Sequence, residues 1–251
     1  MPILHVAIPH HDEARTLPEL LVRLADAALP EDWTRRVVVC DDASPPESRR
    51  TAEDAIERLR QRGIPALLVA HDRQRGKGAA VRTALAAILS DASDIDAVVL
   101  QDADLEYDPR DHAPMVAALA RGNDAVYGSR WSTGARSLGA VQRLGNRLLT
   151  LASNRMTGQR LTDMECGLKL IRVAVLRTIA DALDEEGFGI EPQITAALSR
   201  VGVRIAEVPV AYAPRTVAEG KKIRWRDGIE ALRVIRRERR RPASPRGAVA
   251  T

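Results

Sequence analysis

The sequence predicts an α/β fold with a mostly parallel, Rossmann-like sheet flanked by helices, and two patterns carry that expectation. Short apolar runs of strand character recur at "ILHVAI" (3–8), "RVVVC" (36–40), "ALLVA" (66–70), "DAVVL" (96–100) and "DAVYG" (124–128). Segments with apolar residues at helical spacing lie between them, so strand and helix alternate in steps of about 30 residues, as in parallel strands joined by crossover helices. A third pattern bears on function. The runs end in polar clusters, "PHHDE", "DDASPPES", "HDRQRGKG", "QDADLE" and "GSRW". Open parallel sheets bind ligands at the carboxyl ends of their strands, which makes these clusters the candidate site.

The first helix is expected in "TLPELLVRLADAAL", where Thr16 and Glu19 have the spacing of a capping box. A second is expected in "ESRRTAEDAIERLRQRG", stopped by Gly63, and a third in "GAAVRTALAAILSD". Beyond residue 130 the alternation weakens. There "LGAVQRLGNRLLTLASNRMTG" and "EPQITAALSRVG" read as helices, "VRIAEVPVAY" as a strand and "LTDMECGLKLIR" as mixed. The segment "RDGIEALRVIRRERRR" reads as a C-terminal amphipathic helix with Ile229, Leu232 and Ile235 on one face and arginines around it. Residues 1–232 are expected to form a single domain, and 233–251 a basic helix end with a tail disordered from 242.

A chain of 251 residues, 45% hydrophobic and 29% charged, reads as soluble and globular. Its start lacks the pattern of a secretory signal, and its longest apolar runs fall short of the roughly 18 residues of a membrane span. Cys40 and Cys166 have no CxxC spacing and are expected to be reduced thiols in a cytoplasmic protein. The net charge of +4 conceals an asymmetry: residues 233–251 hold seven Arg and one Glu, so residues 1–232 sum to −2. A basic tail on a mildly acidic body suits an anionic membrane surface or plain solvation. With only 3% aromatic residues, a nucleic-acid module is not expected.

Asp102-Ala103-Asp104-Leu105-Glu106 spaces its acids at i, i+2 and i+4 at the end of an apolar run. Like charges this close are either a solvated turn or a cation site. Asp41 and Asp42, expected on the same rim, favour the cation site, and hard oxygen ligands suit Mg²⁺ or Mn²⁺ shared with substrate phosphates. The rivals fit less well. An aspartyl-nucleophile phosphatase would want Thr or Val at the position of Glu106. The phosphate loop GxxxxGK[ST] fails at "RQRGKGAAV", no GxGxxG follows a strand, and His10-His11 lacks partners at zinc spacing.

The segments "IPHHDEARTL", "VVVCDDASP", "RGKGAAVRTAL", "QDADLEYDP", "DAVYGSRW", "LTDMECGLKLIR", "GFGIEPQITAAL", "EVPVAYAPRT" and "EGKKIRWRDG" follow one another in the order seen in family 2 glycosyltransferases. The chain resembles that family over about residues 3–235, and within it the polyprenyl-phosphate (dolichyl-phosphate) mannosyl- and glucosyltransferases. The resemblance implies the glycosyltransferase A fold. It also implies an inverting transfer of a hexose from a nucleotide diphosphate sugar of the GDP-mannose or UDP-glucose type, with Mg²⁺ or Mn²⁺ as cofactor.

Carried over by motif, Pro9, His11 and Glu13 match the nucleotide-facing loop, and Asp41 and Asp42 the acids that hold base and ribose. His11-Asp12 stands where the family usually has an aromatic residue and Asn, so the resemblance does not fix the base. Asp102 and Ala103 fall on the nucleotide side, while Asp104 and Glu106, with Asp102, match the metal motif. Lys77, Lys221 and Lys222 would add cations around the diphosphate, and Arg130 and Arg143 would hold an acceptor phosphate. Asp163, next to Glu165, matches the base that inverting relatives use on a hydroxyl acceptor. Glu191 is a family feature with no role derivable from sequence.

The partners so implied are a nucleotide sugar donor and a polyprenyl phosphate; the basic C-terminal helix, or a partner membrane protein, could supply peripheral attachment at the cytoplasmic face of the membrane. The alternatives are a soluble enzyme acting on a small hydroxyl acceptor and a nucleotide-sugar binding protein without turnover.

Overall fold

A computed structural model describes residues 1–131, 140–215, 225–239 and 241. The first half alternates as its apolar periodicity requires: β1 (Ile3–His10), α1 (Leu17–Asp26), β2 (Thr34–Asp41), α2 (Pro46–Gln61), β3 (Ala66–Ala70), α3 (Lys77–Leu89) and β4 (Ala97–Leu100). Then come α4 (His112–Ala120), β5 (Ala125–Ser129), α5 (Ala140–Thr157), β6 (Lys169–Arg172), α6 (Val173–Ile179), α7 (Ile190–Arg200), β7 (Ile205–Pro209) and α8 (Trp225–Arg239). α8 runs through positions 232 and 233 without a break, and the tail expected to be disordered, 242–251, lies outside the described residues.

The seven strands form one sheet in the order β3-β2-β1-β4-β6-β5-β7. Pairings β1–β2, β2–β3, β1–β4 and β5–β7 are parallel, whereas β6 runs antiparallel to both β4 and β5. The sheet is thus mostly parallel, with one reversed strand wedged between its halves. That strand comes from "LTDMECGLKLIR", which lacked a readable period because only four of its residues are extended and three of those are buried.

Alternate side chains of the central strands feed two apolar layers. Leu4, Val6, Ile8, Val37, Val39 and Val99 face one, closed by Leu20 of α1, Ile56 of α2 and Leu119 of α4. Ala7, Val38, Cys40, Val98 and Leu100 face the other, closed by Leu85 of α3, Leu176 of α6 and Ile194 of α7. Each such Leu, Ile or Val contributes about 1.5–3 kcal/mol by leaving water, which fixes the register against slippage.

The register matters for the site. His10 pairs with Asp41, Asp41 with Ala70 and Ala7 with Leu100, so the carboxyl ends of β1, β2, β3 and β4 share one rim.

One local expectation changes. Thr16 and Glu19 form no capping box: the Thr16 hydroxyl donates to a Glu13 carboxylate oxygen at 2.9 Å, and Glu19 pairs with Arg23 instead. Thr16 has a helical backbone (φ −101°, ψ −36°) rather than the extended one that aims a cap oxygen at the first N–H groups of a helix. Cys40 and Cys166 are buried free thiols, each pushed up to about 12 by burial.

Candidate active site

Three non-glycine residues among those described take a left-handed backbone: Asp12 (φ 52°), Ala43 (φ 54°) and Leu105 (φ 63°). Each follows a strand of the rim, after β1, β2 and β4. Such conformations cost free energy and survive where the surroundings over-determine the turn, a pattern typical of binding sites.

The acidic turn after β4 is held from both sides. Tyr107 forms an isolated antiparallel bridge with Tyr212, beyond β7, and accepts a hydrogen bond from the Gly167 N–H through its hydroxyl at 3.1 Å. The Tyr212 hydroxyl donates to Glu106 at 2.9 Å, and the Ala213 N–H to the Glu106 carbonyl at 2.9 Å. Arg215 completes the clasp: its guanidinium reaches Glu13 at 2.9 Å and Asp104 at 3.1 Å, and its backbone N–H donates to Glu106 at 2.9 Å. Burial, with the negative charges of Asp102 and Glu106, pushes the Asp104 carboxyl up to about 7.

Asp102 points elsewhere. Lys77, the first residue of α3, lies 2.8 Å from Asp102 and 3.0 Å from Glu191. Glu191 lies 2.6 Å from Lys169, which is wholly buried, donates to the carbonyls of Met164 and Cys166, and sits 4.7 Å from the Tyr127 ring centroid. Two carboxylates and two ammonium groups thereby form one chain, buried at Lys169 and Glu191 and partly exposed at Lys77 and Asp102, joining α3, the turn after β4, β6 and α7. Burial alone would raise Glu191, but the two lysines overcome it and hold its carboxyl below the usual range. Glycine makes the fit possible: a Cβ on Gly167 would lie 2.7 Å from an Asp102 oxygen, and one on Gly78 would lie 2.5 Å from the Glu185 carbonyl. The "GKG" segment therefore owes its glycines to backbone packing against residues 185–187.

Asp42, the residue after β2, is committed to the loop before α3. Asp42 accepts from the N–H groups of Arg75 (2.8 Å) and Gly76 (2.7 Å) and lies 2.7 Å from His71. Asp41 accepts from Ser44 N–H at 3.3 Å, and its buried Oδ2 has no hydrogen-bond partner among the described residues. His11 lies 2.9 Å from the Asp42 carbonyl, and Pro9 sits in β1 beside Cys40.

At the end of β5, on the same rim and two strands across from β4, Arg130 grips Asp163, its guanidinium carbon 5.1 Å from the ring centroid of Tyr212. Its Nε and Nη2 donate to the two carboxylate oxygens at 2.7 Å each, and its backbone N–H adds a third bond at 3.0 Å. Asp163 is fully buried. The residues expected to be a proton acceptor and a phosphate ligand are thus each other's counter-ions. The neighbouring Glu165 is different: its Oε1 lacks a hydrogen-bond partner among the described residues, and burial pushes its carboxyl up to about 7.

The structure brings Lys77, Asp102, Asp104, Glu106, Glu13, Arg130 and Asp163 to one rim, the last two paired with each other; Arg143 lies on α5. Lys221 and Lys222 lie outside the described residues. Asp102, Asp104 and Glu106 do not converge: among the described residues no three His, Cys, Asp or Glu side chains form a ready-made metal cluster. Asp104 and Glu106 nonetheless have the oxygen chemistry of a divalent-ion site, and the Arg215 guanidinium already supplies positive charge there. Sequence reading assigned no role to Arg215, Lys169, Tyr107 or Tyr212. The one available signal was a lysine opening the apolar strand "KLIR".

The comparisons with known proteins agree with this architecture. The model of glycosyl transferase family 2 matches residues 5–180. The chain belongs to this family. An undecaprenyl-phosphate mannosyltransferase of Micrococcus luteus is 31% identical over 223 residues, covering 85% of each chain. An undecaprenyl-phosphate 4-deoxy-4-formamido-L-arabinose transferase of Pseudomonas fluorescens is 30% identical over 86% of this chain, which spans 59% of that relative's length. Among solved structures, glucosyl-3-phosphoglycerate synthase from Mycobacterium tuberculosis, in complex with Mn²⁺, UDP and phosphoglyceric acid, superposes with a TM-score of 0.68. That match has 20% identity and covers 97% of this chain and 80% of the other. The same enzyme is known with Mg²⁺ and UDP, at a TM-score of 0.64, 20% identity and coverage of 97% and 81%. The fold is therefore that of the glycosyltransferase A class, and this family 2 member is a glycosyltransferase.

Proposed function

We propose that residues 1–232 form a catalytic domain that moves a hexose, with inversion, from a nucleotide diphosphate sugar of the GDP-mannose or UDP-glucose type to a polyprenyl phosphate. The observation that carries the choice of acceptor is the grip of Arg130 on Asp163. A hydroxyl acceptor needs a carboxylate to take its proton. Asp163, with both oxygens bound by Arg130, could do so only by breaking a buried ion pair, at a cost of several kcal/mol. A phosphate monoester is already an anionic nucleophile and needs no base. The relatives named for undecaprenyl phosphate support the same choice.

On this reading Asp104 and Glu106 would hold Mg²⁺ or Mn²⁺, which when bound offsets the charge of the departing diphosphate. Asp102 stays with Lys77, whose ammonium, already fixed by Asp102 and Glu191, faces the diphosphate; Lys221 and Lys222 would join it. Asp41, with its unpartnered Oδ2, and Asp42, with Pro9, His11, Glu13 and Ala103, line the nucleoside side. Arg143 would meet the acceptor phosphate, whereas Arg130, with Nε and Nη2 bound to Asp163, has only Nη1 left to offer it. The acceptor phosphate's oxygen forms the new bond to the anomeric carbon from the face opposite the diphosphate, and the electron pair of the broken bond leaves with the nucleoside diphosphate.

A second reading, a small hydroxyl acceptor, draws on Glu165, whose raised carboxyl and unpartnered oxygen suit a general base. Incubation with UDP- and GDP-sugars plus Mn²⁺ separates the two. Release of nucleoside diphosphate only with undecaprenyl phosphate, insensitive to Glu165→Gln, supports the first. Release with a hydroxyl compound, lost in Glu165→Gln, supports the second and overturns the first.

A further inference from the structure

Helix α5, Ala140–Thr157, contains three arginines and no acidic residue. Its described exposed residues are Leu144, Arg147, Leu148, Leu151 and Arg155, which fall on one stripe at helical spacing. The three leucines are 60%, 57% and 64% exposed. The other exposed large apolar side chains among the described residues are scattered singly at the N-terminus, on α1, before β4 and on α8. Single exposed apolar residues need no explanation, but three in a row on a cationic stripe do.

The opposite face of the same helix is built into the acceptor side of the site. Thr150 accepts a hydrogen bond from the Met164 N–H at 3.2 Å, and Asn154 bonds both the N–H (3.0 Å) and the carbonyl (2.7 Å) of Leu161, bracketing Asp163. Arg147 lies 5.1 Å from the ring centroid of Trp131, the residue after Arg130.

We propose that the outward stripe of α5 is a membrane-contact surface that seats on anionic lipid. Leucines flanked by arginines, with no acid along the helix, match an interface where acyl chains lie beneath negative headgroups. A second copy of the chain fits less well, because two such stripes would bring like charges together. The inference deepens the polyprenyl-phosphate reading: a helix that holds the 161–164 loop with one face and lipid with the other would present the acceptor side to the bilayer. The basic tail expected from sequence lies outside the described residues from 242, and the α5 stripe is a contact in its own right.

The test is flotation of the full chain with vesicles of phosphatidylcholine, alone or mixed with phosphatidylglycerol, without donor or acceptor. The wild type is expected to float with the mixed vesicles and far less with phosphatidylcholine alone. The combined Leu144→Gln, Leu148→Gln and Leu151→Gln variant keeps the basic tail and is expected to lose binding by about tenfold or more, with an unchanged thermal melt because all three side chains are exposed. A wild type that does not float, or a triple variant that floats equally well, overturns the proposal. So does a lipid-free dimer, seen by sedimentation, that the triple variant dissolves. Flotation is independent of turnover. A chain that binds vesicles through α5 but transfers nothing to polyprenyl phosphate would sink the functional reading and leave this one standing.

Discussion

Two cations meet the acidic turn after β4, and they are held in different ways. Lys77 belongs to a balanced chain, in which two lysines answer two carboxylates and Glu191 and Lys169 are buried. Arg215 instead shares its guanidinium between Glu13 and Asp104, while Glu106 is held by neutral donors, a backbone N–H and a tyrosine hydroxyl. The first arrangement satisfies its charges and ties four elements together. The second leaves Asp104 protonated up to about pH 7. One set of acids is therefore part of the fold, and the other is the set we propose to hold a divalent cation.

The sharpest way to separate them is to neutralise one acid from each. Asp104→Asn is expected to lower metal-dependent turnover by about 10³-fold or more, with a melting temperature unchanged or raised. Glu191→Gln is expected to act on the fold: with Lys77 and Lys169 left partly uncompensated in a buried place, stability measured by urea unfolding should fall by about 3–5 kcal/mol. If Glu191→Gln melts like the wild type, the balanced chain is not the structural element described here.

The pH dependence follows from Asp104. Its carboxyl titrates near 7 when folded, above the value of about 4 expected when unfolded, so the fold favours the protonated form. The metal-free protein should lose stability as pH rises from about 4 to about 7 and no further above, and Asp104→Asn should remove that loss. Mn²⁺ must displace the same proton, so its affinity by calorimetry should rise by about tenfold per pH unit below 7 and level off above it.

The smallest expected effect is at Arg215. Removing the competing guanidinium in Arg215→Gln should raise Mn²⁺ affinity in the absence of nucleotide by about threefold to tenfold. A fall in affinity would mean that Arg215 supports the site rather than standing in for the ion.

The parallel half of the molecule was legible because β1, β2 and β4 are largely buried on both faces and read as continuous apolar runs, and the half-buried edge strand β3 keeps the same apolar character. The acid-rich rim was legible for the same reason: a polar cluster that ends an apolar run must lie at a strand end. The antiparallel β6 was not, since a four-residue strand opened by a lysine has no period to detect. Nor could spacing reveal which acids pair. Asp102 and Asp104 are two residues apart, yet one is claimed by Lys77 and Glu191's chain and the other by Arg215, residues far along the sequence that only the fold brings near. Asp163 matched a base by motif, but its partner Arg130 is 33 residues away and decides what it can do.

The most direct test is mass spectrometry of the lipid product formed from undecaprenyl phosphate and a nucleotide sugar, with Mn²⁺ or with chelator, by the wild type and by Asp104→Asn. A glycosyl phosphate lipid that appears only with wild type and metal together is the predicted result. The same product formed in chelator, or by Asp104→Asn, would contradict the account.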